Sequence, residues 1–363
     1  MANSKHTFYD NLNIIWTIAS KDIVDALKNR VVIPMIIMLS IILVLPKMLP
    51  FIFEQPQTVL PIYDMGDSNL VKELQNTSDI SVEKLRSELE LRTALCGGMN
   101  PLIGLMLPAD YELAAGAGES IEFQGYVCWS KRYQISELKS KLEEMLSQSL
   151  GRPVTIQIEG NIVYPPSDGV LFLSLATVNS VLLILMMGIF LVPSLLFEEK
   201  ETKTMQALLV SPAGIGQVVV GKAMAGSFYI LVTAVMIFAI SWVDVIHWDM
   251  AILFVISGGF FSVAVGLVLG SFYEKQQDVV GWITILLLLL VGAILVKMLG
   301  IELPALVESV LPWVPSVALA EVCRAAFSET YSTVSIFTNL GFILAVSLPL
   351  YALVIWKVRR SDR

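Results

Sequence analysis

Long apolar runs and short polar breaks alternate along most of the chain. Runs at 31–53, 169–197, 218–242, 250–272, 279–298 and 334–356 each reach the roughly 20 residues that a helix needs to cross bilayer hydrocarbon. They predict six transmembrane helices. Pro34, Pro46 and Pro50 interrupt the first run, and Lys47 lies near its far end, the pattern of a bent helix whose lysine reaches the interface. Residues 54–167 instead have soluble patterning and are the one stretch able to fold in water. In it, 59–63 and 102–107 read as short buried strands, 120–129 and 154–158 alternate as strands do, and 69–75 and 82–95 look helical. The segment 135–150 predicts a helix with Leu138, Leu142, Met145 and Leu146 on one face. Alternating strands and helices predict a small α/β domain with helices packed on one sheet.

Three further stretches have patterns of their own. In residues 1–30, Leu12, Ile15, Trp16, Ala19, Ile23, Ala26 and Leu27 recur at helical spacing against Lys21, Asp22, Asp25 and Lys28. This predicts an amphipathic helix, lying either along the bilayer surface or on a partner protein. The break at 198–222 mixes both charge signs; its helix formers at 198–209 predict a short helix, ended by Ser211, Pro212 and Gly214. Met205, Leu208 and Leu209 share one side of it. Residues 299–331 are too interrupted to span and too apolar for a free loop. Pro304, Pro312 and Pro315 divide them into helical stretches at 305–311 and 316–327, a re-entrant or interfacial pair.

Composition and charge then fix orientation. The chain has 363 residues, 55% of them hydrophobic and only 15% charged, with a mean hydropathy of +0.72, a polytopic membrane profile. The amino-terminal arm, the breaks at 198–222 and 273–278 and the tail at 357–363 hold twelve Lys or Arg, whereas 243–249 and 299–333 hold only Arg324. Positive-inside bias makes the first set cytoplasmic, with both termini inside and the domain at 54–167 extracytoplasmic. That domain carries 16 acidic and 9 basic residues, a balance that disfavours nucleic acid. The first 30 residues are too polar for a signal peptide.

Candidate chemistry is sparse. The segment from Gly216 to Ala223 matches the phosphate-loop spacing through Gly221 and Lys222, but Ala223 stands where a magnesium-binding hydroxyl belongs and no strand precedes it. Lys222 reads instead as an interfacial anchor. Asp244, His247 and Asp249 form a loose acidic loop, a plain turn or a weak metal site. Cys96 and Cys128 both fall in 54–167 and are candidates for a disulfide if their compartment is oxidising, which leaves Cys323 alone. Glu302, Glu308, Glu321 and Arg324 crowd the broken outer pair. Ionisable groups near lipid are candidates for function, here a gate or a structural clamp, with Glu321 and Arg324 spaced to pair on a helix. No nucleophile, base or metal set for an enzyme is evident.

The stretch EEKETKTMQALLVSP at 198–212, followed by Gly221-Lys222, resembles the signature between the second and third spans of ABC transporter permeases of the type-2 (type V) exporter class, NatB-like members included. Lys203 and Gln206 depart from the family's usual glycine and glutamate. The resemblance extends to the whole layout, from the amphipathic arm to the broken pair before the last span. It implies a permease subunit that forms a translocation path with a second copy or a sister permease. ATP and magnesium would belong to a separate ATPase subunit, and this chain would bind no cofactor or metal. Glu198, Glu199, Lys200, Glu201, Thr204, Met205, Leu208, Leu209 and Pro212 would couple to that ATPase in the cell membrane. Ser174, Thr177, Asn179 and Ser180 of the second span either line the path or a dimer seam, or tie helices together. Few charges within the spans favour a narrow route for an amphipathic cargo; lipid, peptide, drug and sodium all remain open. The alternative is a membrane-anchored sensor or scaffold whose outer domain binds a peptide or envelope ligand.

Overall fold

The structure is a computed structural model that describes residues 2–28, 33–34, 36–38, 40–42, 44, 58–66, 71, 80–97, 103–108, 121–158, 160–164, 171–201, 215–298 and 304–361. The chain divides into two compact units. One comprises Met1–Val44, Leu175–Ala326 and Tyr331–Arg363, and the other Leu45–Ser174 with Phe327–Thr330. Helix α1 (Ala2–Lys28) opens the first unit.

The second unit is built on a mixed sheet of β1 (Thr58–Asp64), β2 (Ile80–Leu85), β3 (Gly104–Leu107), β4 (Ile121–Cys128), β5 (Val154–Gln157) and β6 (Ile162–Val163), with α2 (Glu88–Gly97) after β2 and α3 (Ile135–Leu150) after β4. Strand order is β2-β1-β3-β4-β5, and β6 pairs with β4. β1 lies parallel to β2 and β3, β4 runs antiparallel to β3, and β5 and β6 run parallel to β4. Because strand side chains alternate between faces, the sheet has two cores. Leu60, Ile62, Leu105, Phe123 and Ile156 pack with Leu142 and Leu146 of α3, while Tyr126 and Val163 pack with Leu91 and Leu95 of α2. Gly151, in the left-handed region at φ 61°, ends α3.

The helix expected at 82–95 is a strand followed by a helix. Glu83 and Lys84 favour helix only locally, and the parallel partner that β1 offers outweighs that preference. The helix starts instead after Ser87: Ser87 Oγ accepts from the Glu90 N–H at 3.2 Å, and Glu90 Oε2 accepts from the Arg86 N–H at 2.8 Å. This reciprocal pattern is close to a capping box. Cys96 at the end of α2 and Cys128 at the end of β4 are joined by a disulfide, with Cα atoms 5.3 Å apart. The segment 69–75 lies outside the described residues except for Val71.

In the first unit, α4 (Leu171–Met186), a π-helical turn (Met187–Leu191) and α5 (Val192–Glu201) form one continuous rod. Helices α6 (Ile215–Ile240), α7 (Trp248–Phe272) and α8 (Gln276–Met298) follow. The short α9 (Ala305–Val310) and α10 (Pro315–Ala325) flank a 3-10 turn, Leu311–Trp313, and α11 (Thr333–Ser361) closes the chain. Among the described residues five helices are long and apolar enough to cross a membrane: Ala176–Glu198, Gly216–Ile240, Trp248–Phe272, Gln276–Met298 and Thr333–Arg360. The sixth expected span, 31–53, falls mostly outside the described residues.

The rod and α7 form the core of the unit. They approach so closely that a side chain on Gly266 would run into the carbonyl oxygen of Gly188, inside the π turn. Such contact between small residues lets dispersion hold apolar helices together where lipid tails offer no hydrophobic drive. Side-chain hydroxyls add links: Ser316 Oγ donates to Leu290 O at 2.6 Å and Tyr351 Oη to Phe260 O at 3.1 Å. Trp282, Ile285, Leu288 and Leu289 of α8 and Phe337, Leu344 and Leu348 of α11 stay exposed, the outward apolar faces that a bilayer covers.

Candidate functional site

The expected coupling segment begins where the rod ends. Glu198, Glu199, Lys200 and Glu201 continue α5, while Thr204, Met205, Leu208, Leu209 and Pro212 lie outside the described residues. Lys200 turns inward. Its Nζ donates to Gly270 O at 2.8 Å and Tyr273 O at 2.6 Å, at the carboxyl end of α7. Carbonyls at the carboxyl end of a helix carry its partial negative charge, so an ammonium there is favoured. Burial pushes the Lys200 pKa down, opposed by nearby Glu274 and reinforced by Lys357. The charge of Lys200 is thus engaged within the subunit.

The refused phosphate-loop stretch is helical, since 216–223 all lie in α6. The interfacial anchor expected at Lys222 is corrected: this side chain is fully buried and pairs with Asp22 of α1, Nζ to Oδ2 at 3.2 Å. Helix α1 lies along α6, with Ile18, Ala19, Asp22 and Ala26 buried and Leu12, Trp16 and Val24 exposed. Gly221 admits this approach, because a Cβ there would lie 2.7 Å from Ile18 Cγ2. Two more bonds fasten the seam: Gln217 Nε2 donates to Asn11 Oδ1 at 2.7 Å, and Tyr229 Oη donates to Ile23 O. Reading Asp22 with the charged face missed this. The signal was present in Ile18, Asp22 and Ala26, a row at four-residue spacing that puts the carboxylate inside the packed stripe.

At the other charged cluster, Glu321 is the centre. Its Oε2 accepts from Arg324 Nη2 at 2.8 Å, one turn on along α10, as the spacing predicts. Its Oε1 meets Lys297 Nζ of α8, also at 2.8 Å, a partner that the sequence reading did not include. Glu308 is exposed on α9, and Glu302 lies outside the described residues.

Of the second-span polar residues, Thr177 and Ser180 are buried, Asn179 is half-buried, and the side chain of Ser174 is outside the described set. Ser180 Oγ donates to Ala176 O at 2.8 Å, the helix-internal bond that hydroxyls commonly make in membranes. In the loop before α7, the His247 N–H donates to Ala326 O and the ring packs edge-on against Tyr331 at 5.0 Å. Among the described residues no group of His, Cys, Asp or Glu is arranged to hold a metal.

Over residues 31–356 the chain matches the family model described as ABC-2 family transporter protein. It belongs to that family. The chain is therefore a multi-pass membrane protein, a permease component of an ABC transporter. A comparison with curated proteins gave no match. Within this ABC-2 permease, the match runs through the rod, the close α5–α7 contact and the Glu321 cluster, and stops short of α1.

Proposed function

We propose that this ABC-2 permease is half of an ATP-driven exporter, NatB-like in its signature, that pairs with a second copy or a sister permease and is worked by a separate ATPase subunit. The segment 198–212 sits in a cleft of that ATPase, both termini are cytoplasmic, and the sheet unit is extracytoplasmic. The observation that carries this reading is mechanical. The rod runs without a break from Leu171 to Glu201, and Lys200 fastens its end to the last carbonyls of α7. A push on 198–212 would therefore move two core helices together, so ATP binding in the partner biases one arrangement of the paired permeases over another. ATP and magnesium act in the partner, and this chain holds neither.

The basic residues gathered at that end of the spans and the disulfide in the sheet unit support the same orientation. The spans hold few charges, which favours a narrow route for an amphipathic cargo over a hydrated ion channel. Co-purification tests the assignment. Glu199→Lys with Glu201→Lys is expected to reduce association of the ATPase and abolish export while the permease stays folded. Unchanged association and export would count against this contact. Cargo-stimulated ATPase activity in the reconstituted complex, with lipids, peptides, drugs and sodium compared, identifies the substrate class.

A further inference from the structure

Four helices of the membrane unit leave a cavity of about 110 Å3 between them, lined by Leu196 and Lys200 of α5, Lys222 of α6, Gly270 of α7, and Val354 and Lys357 of α11. That volume is several times what one water needs. Its walls are largely apolar, yet three ammonium groups line it. Asp22 balances Lys222 at 3.2 Å. Lys200 gives two N–H groups to carbonyl oxygens, which leaves one of its three donors, and Glu274 acts on it from a distance. Lys357 meets only the ring of Phe272, 5.2 Å from its centroid, among the described residues. Lys200 and Lys357 thus line one cavity with like charges. Like charges held together in an apolar seam call for an anion between them.

We propose that this cavity binds the phosphate of an anionic phospholipid between Lys200 and Lys357. Lys200 follows the end of the span Ala176–Glu198 and Lys357 is near the end of Thr333–Arg360, and basic pockets between helices near such ends take acidic lipids. The apolar wall of Leu196, Val218 and Val358 suits the glycerol and the upper acyl chain. The assignment is independent of the ATPase contact, since it needs only the permease and a bilayer.

The test uses the full chain purified in mild detergent and challenged with phosphatidylglycerol or phosphatidylcholine, with retained lipid counted by native mass spectrometry. Wild type is expected to keep phosphatidylglycerol preferentially. Lys357→Gln lowers that preference about five-fold, the effect of one basic residue near the surface, and Lys357→Arg retains it. Arg360→Gln, three residues on and stacked against Trp356 instead, leaves it unchanged. Equal retention of both lipids by wild type, or an equal loss in Arg360→Gln, overturns the proposal. Saturation by inorganic phosphate alone, without preference among lipids, reassigns the cavity to a soluble anion and overturns it too.

Discussion

Asp22 and Lys222 place opposite charges largely out of bulk water, with side-chain exposures of 6% and 0%. Each ion loses hydration that costs several kcal/mol, and their attraction offsets this only while both are present. Removing one partner takes the ion pair away from a buried charge, so Asp22→Ala or Lys222→Ala is expected to destabilise the permease by about 3–5 kcal/mol. Replacing both with apolar residues, Asp22→Leu with Lys222→Met, should recover most of that loss, because matched hydrophobes often equal a buried pair. Thermal midpoints in detergent, read as surviving monodisperse protein, separate the cases. A double variant as unstable as the singles would show that the seam depends on something other than charge balance. This residue-scale feature was only half legible in the sequence. Gly221 and Lys222 stood out as a motif, but nothing local says that a lysine near a helix end turns inward when its partner lies 200 positions earlier.

At the scale of elements, the sequence was most legible where hydropathy alone decides. The runs at 218–242, 250–272, 279–298 and 334–356 closely match helices α6, α7, α8 and α11. Pro304 and Pro315 lie where α9 and α10 begin, positions that suit a residue lacking an N–H. Legibility failed where long-range pairing decides, as at β2, and where one extra residue changes the turn. Met187–Leu191 is uniformly apolar and gives no sign of its π geometry. It failed also between α8 and α10, where Lys297 reaches Glu321 from another helix. One carboxylate there holds its own helix's Arg324 and the neighbouring helix's Lys297 at once, the arrangement that a clamp needs. The groups are partly exposed, so screening limits their worth. Lys297→Gln is expected to cost under about 1 kcal/mol and Glu321→Gln about 1–2 kcal/mol, with export falling only as far as folded protein is lost. Full stability with abolished export in Glu321→Gln would make the cluster a gate instead.

For the whole molecule, the placement of the sheet unit and the redox state of its cysteines are one question. The Cys96–Cys128 bond ties the end of α2 to the end of β4 across 32 positions of chain, closing a loop whose entropy in the unfolded state is worth about 3–4 kcal/mol. Disulfides persist in oxidising compartments and are rare in the cytosol. In the proposed orientation, a unit stabilised this way is on the opposite side of the membrane from segments 198–222 and 357–363, which are rich in Lys and Arg. Intact cells treated with a membrane-impermeant maleimide should therefore leave Cys96 and Cys128 unlabelled, then label both once an impermeant reductant is added. Cys323, buried in α10, should stay unlabelled throughout. The paired change Cys96→Ser with Cys128→Ser should remove the reductant-dependent signal and lower the unfolding midpoint of the sheet unit, leaving the helices of the membrane unit assembled. Labelling that needs permeabilised cells, or free thiols at 96 and 128 without reductant, would reverse the orientation. The twelve basic residues would then lie on the outer side, where no ATPase could reach 198–212.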